Sequence, residues 1–300
     1  MHQLKPALTY DELIDRLKKA HNLVIRDDQV ARAILEKVNY YRLSAYGIGL
    51  TRKDDKEKYI DGTTIEHLFR LHEFDSLFRN ALMHVIEQIE IQLRNQISHY
   101  LALKYGAEGY LDKDNFTDKK TKEGELVHLS VMESFQKERD HQKNVPFVKH
   151  HMDKYEGHFP IWVAIELFSF GNLSSLYSIL KLEDRKRVAD LYHTEANHLG
   201  SWLLALVEIR NNCAHYSRIY NMPLKQTPFL YSEYRKYKIG TINKVFPTII
   251  VIKRMLAGDE RWLAFEKQLE NLIDEYDDVV NLSFMGFPKE WKDVLSRKVY

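Results

Sequence analysis

Apolar residues recur at three- and four-residue intervals along most of the chain, and the strict alternation that marks a half-buried strand is scarce. The pattern predicts an all-α fold. Leu13, Ile14 and Leu17 follow Thr9-x-x-Glu12, a capping box, and Val30, Ile34 and Val38 follow Asp27 and Asp28, either of which suits a helix N-cap. These segments predict a small helical N-terminal lobe over residues 1–60. It closes with Asn39-Tyr-Tyr-Arg-Leu-Ser-Ala-Tyr-Gly47 and a charge-rich loop or hairpin around Lys53 to Lys58.

Thr63-x-x-Glu66 is a second capping box. From there to Gly106 the positions Leu68, Leu71, Leu82, Ile86, Ile89, Leu93, Ile97 and Tyr100 keep near-helical spacing, and no proline lies between Pro6 and Pro146. A long helix with at most one break is expected. Residues 112–125 are polar and lysine-rich, which predicts a loop. Further helices are expected over 127–137, over 162–170 with Gly171-Asn172 as its stop and Ser174 near the next start, and over 197–219 up to Asn221-Met-Pro223. Residues 141–160 read as irregular. Helices over 245–256 and 259–276 form a C-terminal helical extension, so that residues 61–300 make a helical core forming one compact unit with the lobe.

Composition narrows the class. Forty-four Lys and Arg stand against 43 Asp and Glu, for a formal charge of +1, so any nucleic-acid affinity must come from local clusters. Two stretches interleave basic and aromatic or apolar residues: 181–187, and 231–238 with Arg235 and Lys236. A solvated surface is the alternative reading of both. No apolar run approaches the roughly 18 residues of a membrane span. Met1 to Leu8 has no apolar signal core, and the single Cys213 forms no intramolecular disulfide, so a cytoplasmic location is expected.

The most informative stretch is Glu208-Ile-Arg-Asn-Asn-Cys-Ala-His-Tyr-Ser-Arg-Ile-Tyr-Asn221. Arg210, Asn211 and His215 place a permanent cation, an amide and an imidazole on about one and a half helical turns. Arg matches phosphate oxygens, and His exchanges a proton near neutrality. Together they point to phosphodiester transesterification on RNA without a metal. Spacing by itself does not single them out, because Arg-x-x-x-x-His also occurs at Arg16/His21, Arg79/His84 and Arg94/His99. Context separates them. Arg79, His84, Arg94 and His99 lie along the long helix, where structural roles are expected and Glu90 can pair with Arg94. Arg210 stands among Leu203, Leu204, Leu206, Val207 and Ile209, where a cation needs an anion facing it. That anion is either a carboxylate, with Glu208 or Glu166 as candidates, or a phosphate. Arg210 and His215 differ by about 140° on an ideal helix, so a kink, a helix end or a second subunit must bring them together. Cys213 reads as a small core residue. His141, His150, His151 and His158 are too irregularly spaced for a metal site, and no phosphate loop, nucleophile elbow or His-Glu-x-x-His pattern occurs. No cofactor is implied.

The chain resembles the Abi-like abortive-infection family of the AbiD/AbiF type, within the HEPN superfamily of helical ribonucleases. The resemblance rests on 39–47, on Glu87-x-x-Glu90-x-x-x-Arg94, on Trp162-Val-Ala-Ile-Glu-Leu-Phe-Ser-Phe-Gly-Asn-Leu-Ser-Ser175, on 210–221, and on Met285-Gly-Phe-Pro-Lys-Glu-Trp291. It implies a HEPN-like helical bundle and a metal-independent endoribonuclease acting as a toxin or antiphage effector, with Arg210, Asn211 and His215 catalytic. Glu90, Arg94, His99, Tyr216, Arg218, Arg235 and Lys236 are the supporting or RNA-binding candidates. A homodimer with a composite site, an RNA substrate and, in some relatives, a controlling small RNA are also implied. Many relatives carry a second His after the motif His, where this chain has Tyr216. A non-catalytic RNA-binding protein and a purely structural helical module are the rival readings.

Overall fold

The computed structural model describes residues 6–239 and 243–299. Helices α1 (Tyr10–His21) and α2 (Asp28–Lys37) start where the caps stand. The Thr9 hydroxyl accepts from the Glu12 amide at 3.3 Å while the Glu12 carboxylate accepts from the Thr9 amide at 2.8 Å, and Asp27 accepts from the amides of Gln29 and Val30. Short α3 (Tyr40–Ser44) runs into a 3₁₀ turn at Ala45–Gly47. A Cβ on Gly47 would lie 2.5 Å from the Tyr59 ring, so only glycine allows this close approach. Residues 50–60 form the expected hairpin, with Thr51 bridged to Tyr59.

The central element is α4 (Ile65–Tyr105), 41 residues without a break and about 60 Å long. Its cap is Thr64, whose hydroxyl accepts from the His67 amide at 3.0 Å. Thr63, expected from the capping-box pattern, instead pairs its backbone with Val24 at 2.8 Å and is buried. The lobe therefore fastens to the start of α4 through main chain. Ile14, Leu17, Ala31, Ile34, Leu43, Tyr59, Ile65 and Leu68 form a small apolar cluster there, separate from the main core.

Helices α5 (Val127–His141), α6 (Pro146–Lys154), the single turn α7 (Ile161–Ala164), α8 (Phe170–Ile179), α9 (Leu182–Asp190), α10 (Ala196–Ala214), α11 (Phe246–Met255), α12 (Glu260–Glu275) and α13 (Trp291–Ser296) complete the chain. Helix α4 packs chiefly against α10, α12 and α7, and α8 lies between α10 and α5. Every residue of α11 is buried, including Lys253 and Arg254. Among the described residues there is no strand beyond isolated bridges, and no helix is long and apolar enough to cross a membrane.

Three expectations are corrected. Residues 141–160, read as irregular, hold α6, because Pro146 occupies the first helical turn, where its missing N–H costs nothing. The helix expected over 162–170 is α7, a 3₁₀ turn and a break at Phe168, after which Ser169 caps α8 by accepting from Asn172 at 3.1 Å. Gly171 and Asn172 thus lie in the first turn of α8 and stop nothing. The helix expected over 197–219 ends at Ala214.

Asp184 on α9 pins the far end of α4. Its carboxylate is fully buried and accepts from Tyr100 at 2.6 Å, Tyr105 at 2.7 Å and Lys104. Burial alone would raise its pKa, but these hydrogen bonds outweigh burial and hold it below the ordinary carboxylate value. A carboxylate depressed in the folded state stabilises fully above its unfolded value, about 3.9, and loses that contribution as pH falls through the folded value. The urea midpoint of the wild type should therefore fall below about pH 4 more steeply than that of Asp184→Asn; parallel slopes would remove this role.

Candidate active site

The motif of 208–221 sits where α10 ends. His215 is the C-cap (φ −92°, ψ 13°) and Tyr216 turns into the left-handed region at φ 56°. The Ser217 amide donates to the Asn212 carbonyl at 2.8 Å and the Tyr216 amide to Cys213 at 3.1 Å, the two bonds of a Schellman motif. Glycine is usual at the position Tyr216 holds. His215 thus stands at the helix end, five residues after Arg210, where the chain turns away from the α10 axis.

Arg210 is about a third exposed and its Nε lies 3.5 Å from Glu90 Oε2 on α4. Glu90 also pairs with Arg94, which donates in turn to the Ile165 carbonyl. The Asn211 side-chain oxygen accepts from Arg210 Nη1 at 3.3 Å. The carboxylate facing Arg210 is therefore Glu90, and neither of the expected candidates. Glu208 instead accepts from the amides of Lys225 and Gln226 at 2.8 and 2.7 Å, and Glu166 is exposed. The His215 ring is exposed and makes no hydrogen bond or ion pair among the described residues. Cys213 is buried, and burial pushes its thiol up to about 12. It is a core residue with no thiolate at neutral pH.

The loop carrying His215 is held by Asp75. This carboxylate is fully buried in the first third of α4. One oxygen accepts from the amides of Ile219 at 3.0 Å and Tyr220 at 2.7 Å, and the other from the Tyr46 hydroxyl at 2.8 Å and from Arg79, which is itself buried. Four donors fill the roughly four acceptor positions of a carboxylate. Arg79, one of the arginines of the repeated spacing, is thus structural, and so is Arg94.

No acceptor capacity remains for Arg218. Its Nη1 is buried without a hydrogen-bond partner, its guanidinium lies 6.0 Å above the Tyr46 ring, and burial lowers its pKa. Lys244 beside it is lowered by burial and then by Arg218, and its ammonium donates to Asn221 at 3.1 Å. Arg42 donates to the Tyr216 carbonyl. The segment after His215 is consequently edged by three cations whose one nearby buried carboxylate is already saturated.

The structure brings Glu90, Arg94, Arg210 and Asn211 into one chain of contacts and sets His215, Tyr216 and Arg218 at the adjoining helix end. The other candidates lie apart. His99 is exposed on α4, about 13 Å along the axis from Glu90. Arg235 lines a recess with His198, Phe229 and Tyr231, and His198 stands about 25 Å along α10 from His215. Lys236 lies over the Tyr237 ring at 4.9 Å, on the same 3₁₀ turn, Ser232–Tyr237. Asp75, Arg42, Tyr46 and Lys244 escaped sequence reasoning; an Asp and an Arg four apart within the apolar run Leu71–Leu82 was the available signal for the first. The histidine-rich stretch holds no metal cluster: His151 and Tyr155 pack together, His158 pairs with Glu108 at 2.8 Å, and no group of metal-holding side chains occurs among the described residues.

A family model, Abi-like protein, matches residues 33–221, from within α2 to the end of the loop that Asp75 anchors. The chain belongs to the Abi-like protein family. Four of the five blocks that carried the resemblance fall within the match, as do Asp75, Glu90 and the motif, while Met285 to Trp291 lies outside it. Neither a curated protein nor a solved structure matches the chain.

Replacing Asp75 by Asn leaves Arg79 buried and uncompensated, which should cost about 3–5 kcal/mol in urea unfolding. Amide exchange at Ile219 and Tyr220 should quicken by at least as much as the global loss of stability requires. Wild-type protection of those amides in the variant would contradict the anchoring role.

Proposed function

We propose that the chain is a metal-independent endoribonuclease of the HEPN type, working as an abortive-infection effector in antiphage defence. The family's printed description, Abi-like, supports the defence role. The observation that carries the chemistry is an unengaged, solvent-facing His215 at the end of α10, five residues after Arg210 and at the start of the segment that Arg42, Arg218 and Lys244 edge.

In this reading His215 takes the proton of an RNA 2′-hydroxyl or gives one to the departing 5′-oxygen. The 2′-oxygen attacks the adjacent phosphorus, and the bond to the 5′-oxygen breaks. Arg210 stabilises the charge of the phosphorane, and Asn211 holds the guanidinium. Products carry a 2′,3′-cyclic phosphate and a 5′-hydroxyl. Arg218 and Lys244 grip flanking phosphates, so the near-neutral chain meets RNA through a local positive edge. A homodimer would add a second imidazole and guanidinium. Tyr41 (87% exposed), Tyr216 (70%) and Ile48 (52%) are exposed large side chains on the two segments that Arg42 and Asn221 join, and a two-fold partner would cover them. A controlling small RNA and a cytoplasmic location belong to the same proposal.

One observation favours a non-catalytic RNA-binding protein: Arg210 already has Glu90 as a counter-ion, so its charge has a structural reason. The two readings separate in one assay of RNA ends, run with chelator. The wild type should yield cyclic phosphate ends, and His215→Ala, an exposed change, should lower the rate by about 10²-fold or more with unchanged melting and RNA affinity. Intact RNA ends with the wild type, or undiminished cutting by the variant, would leave the binding reading standing. Arg218→Gln and Lys244→Gln should each weaken RNA binding about equally across sequences and reduce the slope of log K against log salt by about one. An unaltered slope would remove them from the RNA path.

A further inference from the structure

The carboxy-terminal part of the fold holds a concentration of cations that the Arg210 site does not use. A cavity of about 70 Å³ is lined by Lys236, Lys253, Arg297 and Lys298, with Tyr237 on its wall and Glu233 as its one acid. Glu233 is already engaged, 3.1 Å from Arg254 Nη1. Lys253 belongs to the fully buried helix α11 and is 3% exposed. Its ammonium donates to the Val294 carbonyl at 2.7 Å, which uses one of its three donors. Burial lowers its pKa to about 8, with Arg254 and Arg297 adding repulsion against Glu266 and Glu233. Lys236 and Arg297 lie over the Tyr237 ring, at 4.9 and 5.5 Å, and neither they nor Lys298 form an ion pair among the described residues.

A cation kept inside an apolar helix layer, as Lys253 is, is costly unless an anion faces it; Glu266 and Glu233 offset part of that cost without an ion pair, and the exposed Lys236, Arg297 and Lys298 converge on the same small cavity, whose one carboxylate, Glu233, is paired with Arg254. Lys253, Arg297 and Lys298 also line a second cavity of about 370 Å³, whose other walls include Trp262, Leu263 and Glu266. The joint therefore offers a small cationic end and a wider, largely apolar one with an aromatic side chain. That is the division of a nucleotide into phosphate and nucleoside, in the size range of small-ligand sites.

We propose that these two cavities form a nucleotide-binding site, with a phosphate held by Lys253, Arg297 and Lys298 and the nucleoside lying toward Trp262. The phosphate belongs either to a free nucleotide or to the 5′-terminal nucleotide of an RNA. The site stands apart from the motif on α10 and does not depend on RNA cleavage.

The test is calorimetric titration of the full chain with the four ribonucleoside monophosphates, with the matching nucleosides, and with one oligoribonucleotide carrying either a 5′-phosphate or a 5′-hydroxyl. At least one monophosphate, or the 5′-phosphorylated oligonucleotide, should bind at least tenfold more tightly than its partner lacking the phosphate. Preference for free monophosphates identifies a small-molecule ligand, and preference confined to the phosphorylated RNA identifies an RNA end. Arg297→Gln with Lys298→Gln changes exposed side chains only and should abolish the preference while circular dichroism and melting stay as in the wild type; Lys253→Met should do the same. His215→Ala should keep the preference, which separates this site from the proposed ribonuclease centre. No phosphate preference in the wild type, or a preference surviving in the folded double variant, would overturn the proposal.

Discussion

A single buried carboxylate, Asp75, sets the geometry on which the rest depends. Its two oxygens accept from the Tyr46 hydroxyl, the Arg79 guanidinium and two main-chain amides of the loop that follows His215. The amides of Ile219 and Tyr220 are shut away from water and need acceptors, and a carboxylate is the side chain that can satisfy both at once. Arg79, one turn along α4, supplies the compensating charge. Two segments distant in sequence, the turn of Tyr46 and the loop of Ile219 and Tyr220, are thereby tied to the longest helix, and the exposed imidazole inherits a fixed backbone.

Saturation at Asp75 also shapes the electrostatics outside. With its acceptors filled, it offers no direct partner to Arg218, so that guanidinium and Lys244 lie beside the loop with positive charge uncompensated at contact distance. A chain of net charge +1 thus has a locally cationic edge beside its motif. The same separation recurs around Lys253. In both places positive charge is concentrated by the fold, while the sequence average stays near zero.

Glu90 is the point of tension in the motif. It shares its carboxylate between Arg94 and Arg210, fixing α4 against α10. At 3.5 Å and a third exposed, Arg210 is held in position without being sealed off, which suits a group that must keep its charge available. With Glu90 buried and Arg210 only partly so, the pair orients the guanidinium while one side of it stays open to solvent.

Helix existence was legible where local chemistry acts alone. Thr9 and Asp27 cap what their side chains suggest, and the absence of proline from 7–145 permits the unbroken α4. The misreadings share a cause: a residue type has opposite meanings at different points of a helix. Proline and glycine break a helix from its interior, yet Pro146 and Gly171 each lie in a first turn, where neither an N–H nor a Cβ is required. Thr63 and Thr64 compete for one cap, and the tie is broken by the pairing of Thr63 with Val24, a contact across 39 positions.

By itself the sequence determined the helical class, the caps at Thr9 and Asp27, the family to which the chain belongs and the presence of Arg210, Asn211 and His215 after an apolar helical run. These follow from interactions spanning three or four residues or from the order of residue types. Only the tertiary structure decided that α10 stops at Ala214, that Glu90 faces Arg210, that Asp75 holds the loop and that Lys253 meets Arg297. Each of those depends on which buried donor finds which acceptor when α4 packs against its neighbours, and that choice is made by burial across the fold, which local spacing does not encode.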